Sequence, residues 1–184
     1  MTNWLSKLVE KWARPGTDEA YEIYQVIASS SRQPELYQRF EIADTFDGRF
    51  DTLTLIAVLV ARRLKDIGED GQTLSQSVTD VMFADMDLSL HEIGVSENKV
   101  SKKVKTMATA YMGRRQAYVD ALDSDDSSAL ADALSRNLYR ENGIDPAANG
   151  LVAMVKAEAE RLAVIPDQEL LAGKLDPLFK LSSR

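Results

Sequence analysis

Apolar residues recur along the chain at the spacing of one helix face, and no stretch alternates with period 2. That pattern predicts an all-α fold. The first element, residues 3–13, sets Trp4, Leu5, Leu8, Val9 and Trp12 on one face with Lys7 and Lys11 elsewhere, and Arg14-Pro15-Gly16 ends it. Thr17 then reads as an N-cap, with Asp18 and Glu19 in a first turn where carboxylates suit the helix dipole. This helix is expected to close near residues 29–32, and Pro34 to open a short one reaching Ile42. Residues 47–66 carry Phe50, Leu53, Leu55, Ile56, Val58, Leu59, Val60 and Leu64. Between Leu53 and Val60 these cover the whole circumference, the mark of a buried central helix.

Gly68-Glu69-Asp70-Gly71 reads as a loop, followed by a helix over residues 73–93 with two apolar sides. Leu74, Val78, Val81 and Leu88 make one stripe; Phe83, Met86, Leu90 and Ile93 make the other, and Gly94 is the expected C-cap. Residues 98–122 form the next helix, with Val100, Val104, Met107 and Tyr111 as its core stripe. An acidic loop at 123–127 leads to a helix that ends at Asn142-Gly143, and Asp145-Pro146 opens another to Ala163. Pro166 and Pro177 punctuate a short, weakly ordered C-terminal part. The expectation is one domain: a bundle of about seven helices over residues 17–184, preceded by an amphipathic appendage at 1–16.

Composition narrows the class. A chain of 184 residues suits a single domain, and the absence of cysteine rules out disulfides and thiolate metal sites. The longest nearly apolar run, residues 53–61, is about half of the ~20 residues a membrane span needs. Charges interrupt residues 1–15, so no signal peptide is expected there. The reading is a soluble, cytoplasmic protein with contact at the inner membrane as a peripheral option. A net charge of −7 argues against non-specific nucleic-acid binding, and no DNA partner is expected. The charge is uneven, however. Residues 98–116 hold six cations, Lys99, Lys102, Lys103, Lys105, Arg114 and Arg115, and no acid.

In the 73–93 helix, Asp85 and Glu92 fall inside an apolar stripe. A carboxylate so placed needs a cation, for example Arg62, Arg63, Lys103 or Arg114 from a neighbouring helix. Asp85 and Asp87, two apart, point to opposite sides and cannot share a metal. His91 is the only histidine and has no spaced partner. Gly-rich phosphate loops and nucleophile motifs are absent, so no catalytic residue, metal or cofactor is expected. On the basic helix, Lys99, Lys102 and Lys105 lie away from the core stripe, while Lys103 and Arg114 flank it. With no Glu four residues away to soften the repulsion, both a solvated face and a site for an anionic partner stay open. The candidate client or partner surface comprises Lys99, Lys102, Lys103, Lys105, Arg114, Met107 and Tyr111. Trp4, Leu8 and Trp12 are candidates for the membrane interface or for docking on the bundle.

One series of residues adds more. Arg49-Phe50, residues 59–64, Phe83-Ala84-Asp85-Met86-Asp87, Glu92-Ile93-Gly94-Val95, Val100, Lys102-Lys103, Tyr111-Met112-Gly113-Arg114 and Tyr118 stand in a register that resembles the ubiquinol–cytochrome c chaperone family. His91-Glu92-Ile93-Gly94 departs from the family's usual Arg-Glu-Leu-Gly. The resemblance implies an all-helical, non-enzymatic assembly factor that holds newly made cytochrome b before haem insertion and assembly of respiratory complex III. It further implies contact with a small helical co-chaperone or the ribosome, and transient approach to an anionic membrane. Asp85, Asp87, Glu92, Gly94 and Gly113 are then the expected structural signature. A helical ligand-binding or regulatory adaptor module, unrelated to the respiratory chain, is the competing reading.

Overall fold

The computed structural model describes residues 17–124, 126–140 and 146–180. Among these residues the chain forms eight α-helices and one π-helical turn, and no strand, in a single bundle. They are α1 (Asp18–Ser31), α2 (Pro34–Arg39), α3 (Phe46–Lys65), α4 (Glu69–Glu92), α5 (Glu97–Asp123), α6 (Ser127–Leu134), the π turn (Ser135–Tyr139), α7 (Pro146–Ala163) and α8 (Asp167–Leu171). The expected appendage at residues 1–16 lies outside the described residues.

Side-chain caps open several helices, the first at Thr17 as expected. Thr17 Oγ1 accepts from Ala20 N at 3.3 Å, and Thr45 Oγ1 accepts from Gly48 N at 3.1 Å. α3 is the axis of the bundle and packs against α1, α4, α5, α7 and the π turn. Every residue from Leu53 to Ala61 is buried, as the unbroken apolar run requires. Arg63, at its end, donates to the carbonyls of Leu162 and Ile165 at 3.1 and 2.7 Å and pairs with Asp167. That ties α3 to the junction of α7 and α8.

Several boundaries differ from the sequence reading. The stretch read as a loop at 68–71 is the first turn of α4, with Glu69 and Asp70 at the positive end of its dipole. Gly71 is needed there by close approach: a Cβ at this position would stand 2.0 Å from the Leu64 carbonyl oxygen. The helix expected to reach Asn142-Gly143 stops at Leu134. A π turn follows, and Arg140 takes a left-handed conformation, φ 61°. Tertiary partners explain the change. Tyr139 OH donates to the Phe40 carbonyl at 2.7 Å, and Arg140 reaches Asp51 on α3. The C-terminal part is better packed than expected: Leu178 and Phe179 are buried, and Ser30 Oγ accepts from Leu178 N at 2.9 Å. Conversely, Leu88 and Ile93, read as core positions of α4, are exposed. Both continue the right stripes, but they face away from the neighbouring helices in turns where Leu90 is fully buried.

α4 and α5 form an antiparallel hairpin. Gly94, at φ 82°, closes α4 with Val95 N bonded to Leu90 O at 3.0 Å and Gly94 N to His91 O at 3.0 Å, a Schellman motif. The predicted C-cap is thus present.

Candidate partner-binding surface

α5 divides cleanly into two sides. Val100, Val104, Met107, Tyr111 and Tyr118 are buried against the bundle. Tyr111 meets Phe83 of α4 edge-on, ring centres 5.7 Å apart, and burial pushes its phenol pKa up. Met107 and Tyr111 therefore belong to the core rather than to a partner surface. They sit on the apolar stripe, and packing against α4 uses it up. Lys99, Lys102, Lys103 and Lys105 project from the other side and are exposed. Lys103 Nζ stands 5.8 Å from the centre of the Phe46 ring, a cation–π distance, so one of the four is partly engaged.

Arg114 also leaves the candidate surface. Its Nη2 lies 2.7 Å from Asp51 Oδ1, with the Asp51 side chain 0% and the Arg114 side chain 14% exposed. Its guanidinium lies 5.6 Å from the Phe50 ring centre. Arg140 Nη2 donates to Asp51 Oδ2 at 3.2 Å and approaches Asp47 at 3.4 Å. Burial pushes the Asp51 carboxyl up, and Arg114 and then Arg140 pull it back. Tyr118 is buried beside this pair, and its phenol is pushed well above the usual range for the same reason. Sequence reasoning sought the buried carboxylate at position 85 and found the wrong one. Asp51, between Phe50 and the apolar run that starts at Leu53, was the available signal.

Asp85 is about one-third exposed. It accepts from Tyr24 OH of α1 at 2.5 Å, and the nearest cation is the exposed Arg32 at 3.9 Å. None of the four expected cations reaches it. Arg62 pairs with Asp123 at 2.8 Å, Arg63 with Asp167 and two carbonyls, Arg114 with Asp51, and Lys103 lies over Phe46. Their places on α3 and α5 direct each to a nearer acceptor. The Asp85 bond, and its burial, push the Tyr24 phenol strongly upward, with burial the larger cause. Asp87 pairs with His91 one turn on at 3.5 Å, and Glu92 is an exposed residue in the last turn of α4. Gly94 is structural through its positive φ.

Gly113 differs from Gly94. It is exposed within α5, and a Cβ there would meet nothing within 4 Å. Beside it, Met112 is 58% exposed, an apolar side chain the sequence reading did not single out. The exposed side of α5 thus carries four lysines at its start, then short side chains, Met112 and Gly113, and Gln116 and Asp120 towards its end. Trp4, Leu8 and Trp12 lie outside the described residues. Among those described, no helix is long and apolar enough to cross a membrane, and no group of three or more acids and histidine is placed to hold a metal ion.

Comparisons with known proteins agree with this architecture. The sequence model described as ubiquinol–cytochrome C chaperone matches residues 38–179, which include the whole α4–α5 hairpin and the Asp51 cluster. Among curated proteins no sequence match is significant. Among solved structures, the Cbp3 homolog from Brucella abortus is 33% identical, covering 95% of this chain and 96% of its own, with a TM-score of 0.79. With most of its length matched by the family's sequence pattern and nearly all of it by a solved helical relative, the chain belongs to the ubiquinol–cytochrome c chaperone family.

Proposed function

We propose that this protein is a non-enzymatic chaperone of respiratory complex III assembly that holds newly made cytochrome b before the subunit joins the complex. Family membership supports the assembly role. The observation that carries the client reading is the outer side of α5. Lys99, Lys102, Lys103 and Lys105 stand exposed on a stretch without an acid, in a chain of net charge −7. Apart from Lys103 over Phe46, a single-signed field of this kind self-repels within the monomer, and its effect is on association. An anionic membrane surface or a ribosome would be drawn to it while an apolar segment is held alongside. A small helical co-chaperone is a further partner in this scheme. Residues 1–16 are an appendage that is not needed for the bundle, with Trp4, Leu8 and Trp12 suited to the membrane interface.

The cavity lined by Tyr24, Ile27, Ala57, Leu64, Val78 and Tyr111 has a volume of about 10 Å³, room for one water. Two measurements test the proposal together. Deleting the gene should lower the assembled cytochrome bc complex under respiratory growth. Photocrosslinkers placed at positions 102 and 105 should capture cytochrome b during its synthesis. Normal assembly in the deletion strain, with no captured cytochrome b, would refute it.

A further inference from the structure

Two large apolar side chains stand exposed along the seam between α1 and α4. These helices pack side by side and begin at the same end of the bundle. A Cβ on Gly173, just after α8, would stand 2.9 Å from Glu19 Cα, and Asp167 at the start of α8 holds Arg63 where α3 gives way to α4. Further along, Tyr24 and Arg32 of α1 meet Asp85 of α4. Tyr21, one turn before Tyr24, is 52% exposed on the α1 edge of the seam; Leu88, one turn beyond Asp85, is 57% exposed on the α4 edge. Ser77, Val81, Ala84 and Leu88 follow at intervals of four, three and four, so they share one line of α4, with Val81 buried and Ser77 and Ala84 half-buried. From Tyr21 to Arg32 the seam runs about 16 Å, at 1.5 Å per residue.

The chain itself supplies an occupant. Residues 1–16 join the bundle at Thr17, one turn before Tyr21. As a helix, residues 3–13 would be about 16 Å long, the length of the seam. Their apolar face, Trp4, Leu5, Leu8, Val9 and Trp12, needs apolar surface, which Tyr21 and Leu88 offer. The charges fit as well. Lys7 and Lys11 are one turn apart, and so are the exposed Asp18 and Glu22 at the start of α1. A chain that reverses at Pro15-Gly16 and lies antiparallel to α1 sets Lys11 opposite Asp18 and Lys7 opposite Glu22. In that register Leu8 falls beside Tyr21. Helical side chains lean towards their own N-terminus, so Trp4 leans along the seam towards Leu88.

We propose that residues 3–13 fold back as a helix into the α1–α4 seam, covering Tyr21 and Leu88 with the Trp4–Trp12 face, and that this contact competes with the membrane for that face. The inference rests on the reading of residues 1–16 as an amphipathic appendage suited to the membrane interface, and adds where that face lies in the free protein. One face cannot serve both surfaces at once, so the docked fraction lowers the affinity for membrane. The contact lies outside the core, and the bundle keeps its cooperative melting without it.

Trp4 and Trp12 are the only tryptophans of the chain, so intrinsic tryptophan fluorescence reads this segment alone. In the full chain without membrane, the emission should be that of shielded indoles, poorly quenched by acrylamide. Tyr21→Ser combined with Leu88→Ser changes only exposed side chains. It should move the emission to longer wavelength and raise quenching several-fold, with the circular dichroism spectrum unchanged. Met112→Ser, which removes an exposed apolar side chain on α5, should change neither. The double variant should also bind vesicles of anionic phospholipid more tightly than wild type, by roughly tenfold where docking is favoured ten to one. Water-exposed emission from the wild type would overturn the proposal. So would shielded emission that the double variant leaves unchanged, or that is lost on dilution, the mark of docking on a second copy. Equal, measurable vesicle affinity for the two proteins would remove the competition. If neither protein binds vesicles, the membrane reading itself fails and the competition with it, a result distinct from any change in the solution spectrum.

Discussion

At the residue scale, the two acids Asp51 and Asp85 show how burial sets the cost of a substitution. Asp51 is fully buried and faces Arg114, which is itself nearly buried. Replacing Asp51 by Ala strands that guanidinium, and loss of one partner of a buried pair costs about 3–5 kcal/mol. Asp85→Ala removes the acceptor of the buried Tyr24 hydroxyl but leaves an exposed Arg32 free to hydrate. An unsatisfied buried hydroxyl costs about 1–2 kcal/mol. Urea denaturation of the two variants should therefore rank Asp51→Ala well below Asp85→Ala. The reverse order would show that the Tyr24–Asp85 contact, not the Asp51 cluster, fastens the bundle. Arg140→Ala should be milder than Arg114→Ala, since Arg140 is more than half exposed and Asp51 keeps its pairing with the nearly buried Arg114.

At the scale of elements, two of the three glycines of the α4–α5 hairpin have a steric reason to exist. Gly94 provides the left-handed residue that ends α4, and Gly71 lets α4 begin against the end of α3. Gly113 has no steric reason within the described bundle. Gly71→Ala places a methyl group 2.0 Å from a backbone carbonyl oxygen and 2.8 Å from the Ile67 Cβ. Backbone cannot give way as a flexible side chain does, so the variant should lose about 1–3 kcal/mol despite alanine's better propensity. Thermal melting compares it directly with Gly113→Ala, for which the shift has the opposite sign. If both variants are stabilised, the α3–α4 junction is looser than its geometry implies. The π turn teaches the same lesson from the other side. Local pattern continues a helix through Tyr139 and beyond, yet Tyr139 and Arg140 are turned to reach Phe40 and Asp51.

At the scale of the whole molecule, the question is what an acidic protein does with an uncompensated basic helix. Lys102→Glu combined with Lys105→Glu changes only exposed side chains, and such changes usually alter stability by less than about 0.5 kcal/mol. The melting temperature should hold, while capture of cytochrome b or of anionic vesicles falls. Wild-type binding should weaken as salt rises, because exposed charges are screened beyond about 10 Å at 0.1 M. Undiminished capture by the double variant would reduce the face to a solvated surface. Deleting residues 1–14 should leave helicity and cooperative melting of the remainder intact, as expected of a terminal appendage. Loss of cooperative unfolding would assign that segment to the core.

The sequence by itself determined the helical class, the buried central helix, the caps at Thr17 and Gly94, and the family. The first three rest on local physics, the 3.6-residue period and cap chemistry; the family rests on the resemblance carried by residues in a fixed register. The tertiary structure alone decided which polar groups meet. Asp51 stands just before the apolar run of the central helix, and nothing there hints at Arg114, 63 positions away and joined to it at 2.7 Å. Asp85, inside an apolar stripe, proved partly exposed because coverage depends on where the neighbouring helices stop. Met107 and Tyr111, read both as core stripe and as candidate partner contacts, are core, while Met112, one residue on from Tyr111, is exposed. Helix period fixes which residues share a face; only packing decides whether that face is covered, and with it the partner of each charge.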